Sequence, residues 1–213
     1  MTSGNDFPGE VLFPYGEADT PKVFDFDKLA QADHRWSKLA VGHADLVAHP
    51  KHTYGWVGCL STAACMAVNA LTGSKLTPPE FQAHALAKDA QAWSGVLINL
   101  ERALRVFGLS APDGMRVRSH IGDPALVALA NACFTHGKAC LLHVDHNSSL
   151  PRGDPFGDHF LFAYALVDGK YLCADPAPGS VVEVDAQALE GESKWGEELK
   201  HYRVVSVAPV WKP

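Results

Sequence analysis

The sequence predicts an α+β protein in which a helical half is followed by an antiparallel sheet. Up to about residue 137, apolar residues recur at helical spacing between capping residues, prolines and glycines. After that point they form short runs of strand length, and Asp168-Gly169 is a pair typical of a two-residue hairpin turn. Helices first and strands second indicate an α+β layout rather than alternating βαβ units.

Each predicted helix has a recognisable beginning or end. Thr77-Pro78-Pro79-Glu80 forms a capping box with proline at the first helical position, and Asp123-Pro124 is a second capping signal. Gly73, Gly108 and Gly137 are the expected ends of three helices. The helices are expected over Cys59 to about Leu71, Thr77 to about Ala87, about Ser94 to Phe107, and Asp123 to Phe134.

The expected strands are short and apolar. Phe160 to Val167 is apolar on both faces, which is typical of a central strand, and the Asp168-Gly169 turn leads it into its neighbour. The strands are expected over Ala139–Val144, Phe160–Val167, Tyr171–Ala174, Val181–Val184 and Tyr202–Val210.

The length and composition of the chain indicate one globular domain. Its 213 residues, of which 47% are hydrophobic, are enough to bury a sizeable core. We expect this domain to span residues 25–213, after an irregular arm over residues 1–24. The arm contains prolines and glycines but is apolar enough to pack across the domain.

Charge, hydropathy and cysteine usage narrow the function classes. The net charge is −6 and no Lys/Arg cluster is present, which argues against a nucleic-acid-binding surface. No run of roughly 18 apolar residues predicts a transmembrane helix, and Met1–Glu10 has neither the basic region nor the apolar core of a signal peptide. The cysteines are odd in number and lack a CxxC pair, which favours reduced thiols. We therefore expect a cytoplasmic protein.

A glycine-rich turn, Gly55-Trp56-Val57-Gly58, leads directly into Cys59 and a helix of small and apolar residues. The unpaired N–H groups of a helix's first turn carry a partial positive charge, which favours a thiolate over a thiol. Glycine lets the backbone bend and keeps bulk away from an approaching substrate. Cys59 is therefore a candidate nucleophile, although a small buried residue at a helix start would fit the same pattern.

A thiol nucleophile needs a base, and the base needs an orienting partner. Among the histidines, His159 is the best candidate because it begins the most buried strand after a turn-rich run. Asp175 ends the returning strand, so the hairpin brings it beside His159. A hydrogen-bonded strand-end histidine and a turn residue before Pro176 are the structural alternatives.

The register of this hairpin sets a condition on the pairing. With a strict two-residue turn at Asp168-Gly169, Asp175 faces Phe162, and His159 then points to the opposite side of the sheet. A bulge or a longer loop would restore a common face. We therefore predict such an irregularity between His159 and Asp175.

Several other side chains admit a functional or a structural interpretation. A metal site is disfavoured because the His-x-x-His spacing on a strand-to-loop stretch suits a single site poorly, and solvated loop residues are the favoured interpretation. The candidate ligands would be His143, Asp145, His146, Asp154 and Asp158.

Two tryptophans and four further cysteines also admit a functional or a structural interpretation. Trp56 is a candidate for lining a substrate cleft, whereas Trp93 fits the core better. The other thiols lie in apolar segments and are interpreted as packing residues: Cys65, Cys133, Cys140 and Cys173.

Taken together, the order and spacing of these motifs resemble C39-like cysteine peptidases of the papain-like superfamily, over roughly residues 30–185. Gln31–Trp36 is also similar to the Q-x-D-x-R-W segment of a C39-like subgroup common among phage and bacterial proteins. The other matching segments are Gly58-Cys59 with its helix, Leu76–Phe81, Gly137–Val144, Gly157–Phe160 and Tyr171–Pro176.

The resemblance implies a papain-like fold, in which the Cys59 helix packs on the C-terminal antiparallel sheet. It also implies a catalytic triad of Cys59, His159 and Asp175 that needs no metal or cofactor. The Cys59 thiolate would attack a carbonyl carbon, His159 would shuttle the proton and Asp175 would fix the imidazole tautomer. The Cys59 N–H and the Gln31 side chain would hold the oxyanion.

The resemblance further implies a peptide or peptidoglycan amide as the substrate, with Trp56 and Gly58 at the binding cleft. A bacteriocin leader peptide is disfavoured because the chain carries no transporter segments. The phage-like segment favours a viral enzyme of the host cytoplasm, the cell wall or the virion. The oligomeric state is left open.

Two departures from the family's pattern keep an alternative open. Thr53 stands where many members have the oxyanion Gln, and Leu60-Ser61 replaces the Gly or Gly-Pro that usually follows the nucleophile. The alternative is a catalytically inactive papain-like scaffold that acts as a binding or assembly protein. Acyl transfer in place of hydrolysis is a third option.

Overall fold

The computed structural model describes residues 11–12, 29–112, 123–146 and 158–213. The predicted arm over residues 1–24 therefore lies outside the described residues except for a short strand, β1 (Val11–Leu12), which pairs with Leu166 and Val167. The helices are α1 (Tyr54–Val57), α2 (Cys59–Thr72), α3 (Pro78–Lys88), α4 (Leu100–Arg105) and α5 (Pro124–Thr135), with a 3-10 turn at Ala90–Ala92.

The larger strands follow one another after α5. They are β4 (Ala139–Asp145), β5 (Asp158–Val167), β6 (Lys170–Asp175), β7 (Ser180–Asp185), β8 (Glu190–Trp195) and β9 (Glu198–Val210). A separate hairpin of two short strands, β2 (Trp93–Ser94) and β3 (Leu97–Ile98), lies between α3 and α4.

The described strands close into a six-stranded antiparallel barrel. They pair in the order β5-β4-β9-β8-β7-β6, and β6 returns to pair with β5. The prediction of an α+β, papain-like fold, with a helical half packed on an antiparallel sheet, is therefore wrong: the described chain is a closed barrel with few helices.

The missed strand explains this error. β8 reads Glu-Gly-Glu-Ser-Lys-Trp and has no apolar run, so its sequence carries no strand signal. It pairs with β9 along its whole length and touches β7 at Val184 and Gly191. Without β8 the strands predicted from the sequence form an open sheet, and with β8 they close.

The local helix signals were more reliable. The capping box is present at the start of α3, where Glu80 Oε2 accepts a hydrogen bond from the Thr77 N–H at 2.8 Å. Asp123 caps α5 through the Ala125 N–H at 2.8 Å. The helix expected from about Ser94 is wrong in its first turn, because the β2–β3 hairpin occupies that stretch and Asn99 caps a shorter α4.

The side chains of each strand alternate between two apolar clusters, one on each face of the sheet. Along β4, Leu141 belongs to the cluster that includes α2, and Leu142 belongs to a second cluster. That second cluster draws on β4 to β7 and β9, with Trp195 of β8 packed against it, and therefore fills the barrel interior. Phe134 of α5 joins it and stacks on Tyr171, with the ring centroids 5.2 Å apart.

The helix that begins at Cys59, α2, packs on the outer face of the barrel. Its run from Ser61 to Asn69 is buried on every side. Several of these residues are alanines, and their small side chains let the helix approach β5 closely. None of the helices in the described part of the chain has the length and apolar character that crossing a lipid bilayer requires.

The contact of α5 with the barrel interior gives a stability prediction. Phe134 is 3% exposed, and its truncation leaves a cavity against Tyr171. We expect Phe134→Ala to lower the free energy of unfolding by about 3–5 kcal/mol, measured by urea denaturation. The neighbouring exposed Thr135→Ala is the control and should change it by less than about 0.5 kcal/mol. Equal effects of the two substitutions would contradict this packing.

Candidate active site

A bulge in β5 brings His159 and Asp175 to the same face of the sheet. The turn has the left-handed backbone of a two-residue hairpin, with φ of 48° at Asp168 and 76° at Gly169. The strands are in regular register up to Ala165 opposite Leu172, but the next pair is Ala163 with Cys173. The skipped residue is Tyr164. The predicted irregularity is therefore confirmed.

The two side chains form a short hydrogen bond. His159 Nε2 lies 2.7 Å from Asp175 Oδ1, and the two side chains are 2% and 0% exposed. Because a carboxylate only accepts, Nε2 is the donor in this bond. The Cys59 thiol also raises the pKa of His159, so the thiol lies close to the imidazole. Nδ1 is the ring nitrogen that the bond to Asp175 does not use.

The electrostatics of the pair favour an imidazolium and a carboxylate. Burial alone would lower the pKa of His159, but the hydrogen bond to Asp175 and the neighbouring Cys59 thiol outweigh it and raise the pKa to about 9. Burial would likewise raise the pKa of Asp175, but the bond from His159 holds it below its ordinary value. These interactions favour the protonated form of His159 and the ionised form of Asp175.

Cys59 is the first residue of α2, and its side chain is half-buried. The N-cap residue, Gly58, has no side chain to cap the first turn, so the N–H groups there have no side-chain acceptor from that position. The helix therefore directs its positive end and unpaired N–H groups at the thiol. The Cys59 side chain therefore lies beside N–H groups that could donate to a negatively charged atom.

Gly58 is required by a close backbone approach. A Cβ at this position would lie 2.5 Å from the Tyr54 carbonyl oxygen and 2.7 Å from the Tyr54 Cα. Tyr54 is itself fixed, because the single proton of its hydroxyl is shared between Pro78 O and Gln82 Oε1, which lie 3.0 and 2.9 Å away. Any larger residue at position 58 would therefore force these backbone atoms apart.

Trp56 and Trp93 have different environments. Trp56 is 66% exposed, lies under the Lys51 ammonium at 4.6 Å, and lines a shallow groove beside the turn that leads to Cys59. Trp93 is 2% exposed and packs edge-on against Phe81, with centroids 5.8 Å apart. Trp93 is therefore a core residue, and Trp56 is available to a ligand.

Gln31 lies on the Asp175 side of the site. Its backbone N–H donates to Pro176 O at 2.7 Å, and its side chain is buried, with no partner for Oε1 among the described residues. The rest of the Q-x-D-x-R-W segment holds this position. Asp33 bonds the Arg35 guanidinium at 2.8 Å, and the Trp36 indole donates to Ala30 O at 3.0 Å. The amide of Gln31 as an oxyanion donor stays a prediction.

Three residues that surround Asp175 were missed by the sequence analysis. Asp175 Oδ2 accepts from Ser193 Oγ at 2.6 Å and from Tyr202 Oη at 2.5 Å, and Trp195 Nε1 donates to Tyr202 Oη at 2.6 Å. The Ala177 N–H completes the set at Oδ1, at 2.9 Å. The missed residues lie in β8 and β9, and only Tyr202 fell within an expected strand.

The candidate metal ligands and the other thiols have surroundings that fit structural roles. His143 stacks on Phe160 with centroids 4.5 Å apart, and Asp154 lies outside the described residues. Within the described ranges, no three His, Cys, Asp or Glu side chains are grouped to hold a metal ion. All five thiols are free, and the four besides Cys59 are buried.

No family model matches the chain, and a search of curated proteins found no match either.

The close approach at Gly58 gives a second prediction. Because the added Cβ meets backbone atoms, we expect Gly58→Ala to lower the free energy of unfolding by about 1–3 kcal/mol, measured in urea. Gly73→Ala is the control: Gly73 has φ of 73° but no atom near a Cβ, so it should cost only about 1 kcal/mol of backbone strain. An unchanged midpoint for Gly58→Ala would contradict the contact.

The raised pKa of His159 gives a third prediction. The folded value of about 9 exceeds the unfolded value of 6.5, so the stabilisation is fully present below pH 6.5 and is lost as pH rises through 9. We expect the free energy of unfolding to fall across that window by a few kcal/mol, measured by denaturant titration at successive pH values. The decline should vanish in His159→Gln, and an equal decline in that variant would argue against it.

Proposed function

We propose that this protein is a cysteine peptidase or amidase of the C39-like kind, which hydrolyses a peptide or peptidoglycan amide. One observation carries the proposal: a single buried imidazole bonds Asp175 through Nε2 at 2.7 Å, and the thiol at the start of α2 is a neighbour that raises the pKa of the same ring. In this scheme Cys59 is the nucleophile, His159 the proton shuttle and Asp175 the orienting carboxylate.

Acylation begins from the thiolate and the imidazolium. The Cys59 sulfur attacks the amide carbonyl carbon, and the carbonyl π electrons move to oxygen, next to the N–H groups of the first turn of α2. The Gln31 amide is the second proposed donor. His159 then gives its proton to the amine as the carbon–nitrogen bond breaks. This leaves a thioester on Cys59 and a free amine.

Deacylation returns the site to its starting state. His159, now neutral, takes a proton from a water molecule as the water oxygen attacks the thioester carbonyl. The tetrahedral intermediate collapses, the carbon–sulfur bond breaks, and Cys59 leaves as a thiolate beside the imidazolium. Asp175 keeps the same ring orientation through both halves, because its bond to Nε2 is made in each.

The surface near Cys59 supports an extended peptide as the substrate. The groove beside Trp56 is open and shallow, and it is lined by Ser37, Lys38, Leu46, Pro50, Thr53, Gly55 and Trp56. An exposed indole stacks on apolar groups or amide planes of a bound chain. Based on the resemblance of Gln31–Trp36, we further propose that the protein is encoded by a phage and that its substrate is peptidoglycan.

Selective alkylation tests the proposal directly. We expect iodoacetamide at pH 6 to modify Cys59 at least about tenfold faster than the other thiols, because only that thiol has an imidazolium partner. His159→Ala should remove the selectivity. Mass spectrometry of tryptic peptides measures both, and His143→Ala serves as a matched histidine control that should keep the selectivity.

Activity provides the second part of this test. Purified protein should release amines from a mixed peptide library or from peptidoglycan, and Cys59→Ser should abolish that release. Slow and uniform alkylation of all five cysteines, together with no release, would overturn the proposal and favour the catalytically inactive binding scaffold.

A further inference from the structure

We propose that the β8–β9 hairpin is a positioning element, in which Tyr202 and Ser193 hold Asp175 against His159 and Trp195 fixes Tyr202. The proposal rests on the proposed function for its catalytic consequence. Its structural content, that these hydroxyls set the ionisation and orientation of Asp175, stands on contacts of the described residues alone.

The three side chains share one face of the hairpin because of the strand period. In the β8–β9 register, Ser193 faces Lys200 and Gly191 faces Tyr202. Directly opposed residues point the same way, and every second residue of a strand does too. Ser193, Trp195 and Tyr202 therefore point together toward the interior, where Asp175 ends β6.

The direction of the hydrogen-bond chain is fixed by chemistry. An indole N–H can only donate, so Tyr202 Oη accepts from Trp195 at 2.6 Å. The one phenolic proton of Tyr202 is then directed to Asp175 Oδ2 at 2.5 Å. Chains of this kind polarise each member, which strengthens the bond to the carboxylate.

Ser193 supplies the second donor to the same oxygen. Its hydroxyl lies 2.6 Å from Oδ2, and Ser193 is 3% exposed. Oδ1 is left for His159 and for the Ala177 N–H. Both oxygens of a fully buried carboxylate are thereby satisfied, which the cost of burying a charge requires. The division of donors also fixes which oxygen faces the imidazole.

Trp195 contacts His159 as well as Tyr202. Its ring packs edge-on against the His159 ring, with centroids 5.0 Å apart and planes at 72°. The same side chain therefore orients Tyr202 behind Asp175 and covers His159 in front of it. His146 lies at the edge of this cluster, 4.9 Å from the Trp195 ring.

Several ionisable groups on neighbouring elements influence the charge of Asp175. They are His159 of β5, Tyr202 of β9 and Cys173 of its own strand, with Cys59 of α2 and His146 after β4 acting through His159. Among these ionisable groups, only Tyr202 can be replaced by a residue of nearly the same shape, phenylalanine, that lacks the hydrogen-bond donor.

The experiment measures the titration of Asp175 itself. Carboxyl ¹³C NMR of aspartate-labelled protein follows Asp175, assigned by its loss in Asp175→Asn. We expect Tyr202→Phe to raise the proton affinity of Asp175 about tenfold, since one hydrogen bond to a charged group is lost. Ser193→Ala should act in the same direction, and the double variant should exceed either.

The matched control is Tyr171→Phe. Tyr171 is also buried in the barrel, but its hydroxyl donates to Asn131 Oδ1 at 2.6 Å rather than to Asp175. It should lower stability without moving the titration of Asp175. If Tyr202→Phe lowers stability to a similar extent and leaves the titration of Asp175 unchanged, the hydroxyl is only structural and the proposal is overturned.

The effect of Tyr202 on catalysis is measured in a separate experiment. The acid limb of the rate of Cys59 alkylation should move to higher pH in Tyr202→Phe, because protonation of Asp175 removes the partner that keeps His159 charged. With an identified substrate, kcat should fall about tenfold with little change in KM. If Cys59 of the wild-type protein is not alkylated selectively, but Tyr202→Phe raises the proton affinity of Asp175 as expected, the proposed function is overturned and the positioning role remains.

Discussion

The candidate site depends on keeping a carboxylate ionised where no water reaches it. Asp175 is fully buried, and an unpaired charge in that environment would be strongly destabilising. Its hydrogen-bond donors come from β5, β8, β9 and the turn after β6. No open sheet could bring strands so far apart in order around one side chain. Closure of the barrel is thus a requirement of this buried carboxylate as well as of the core.

Local rules predicted the parts of the site that are set by neighbours in sequence. The glycine turn, the helix beginning at Cys59 and the hairpin at Asp168-Gly169 follow from backbone preferences of a few residues. The bulge in β5 was also predictable, because only an extra residue could bring His159 and Asp175 to one face. These inferences use spacing along the chain, which the sequence contains.

Barrel closure and the donors behind Asp175 could not be predicted in that way. β8 has no apolar alternation, since its exposed side is solvated and its inward positions are taken by glycine, by Ser193 and by Trp195. Ser193 serves the carboxylate on β6, and only Trp195 packs against the apolar core. Hydrophobic periodicity reports only burial against apolar neighbours. A strand that buries polar groups against a charge therefore gives no signal.

The bulge at Tyr164 also places an arithmetic condition on how this hairpin can change. Side chains alternate with a period of two, so the number of residues between His159 and Asp175 has a fixed parity. Lengthening or shortening the hairpin by one residue would rotate one partner to the other surface of the sheet, whereas a change of two would keep them together. Divergent chains that preserve the pair can differ here by even steps, or by an odd step accompanied by the gain or loss of a bulge.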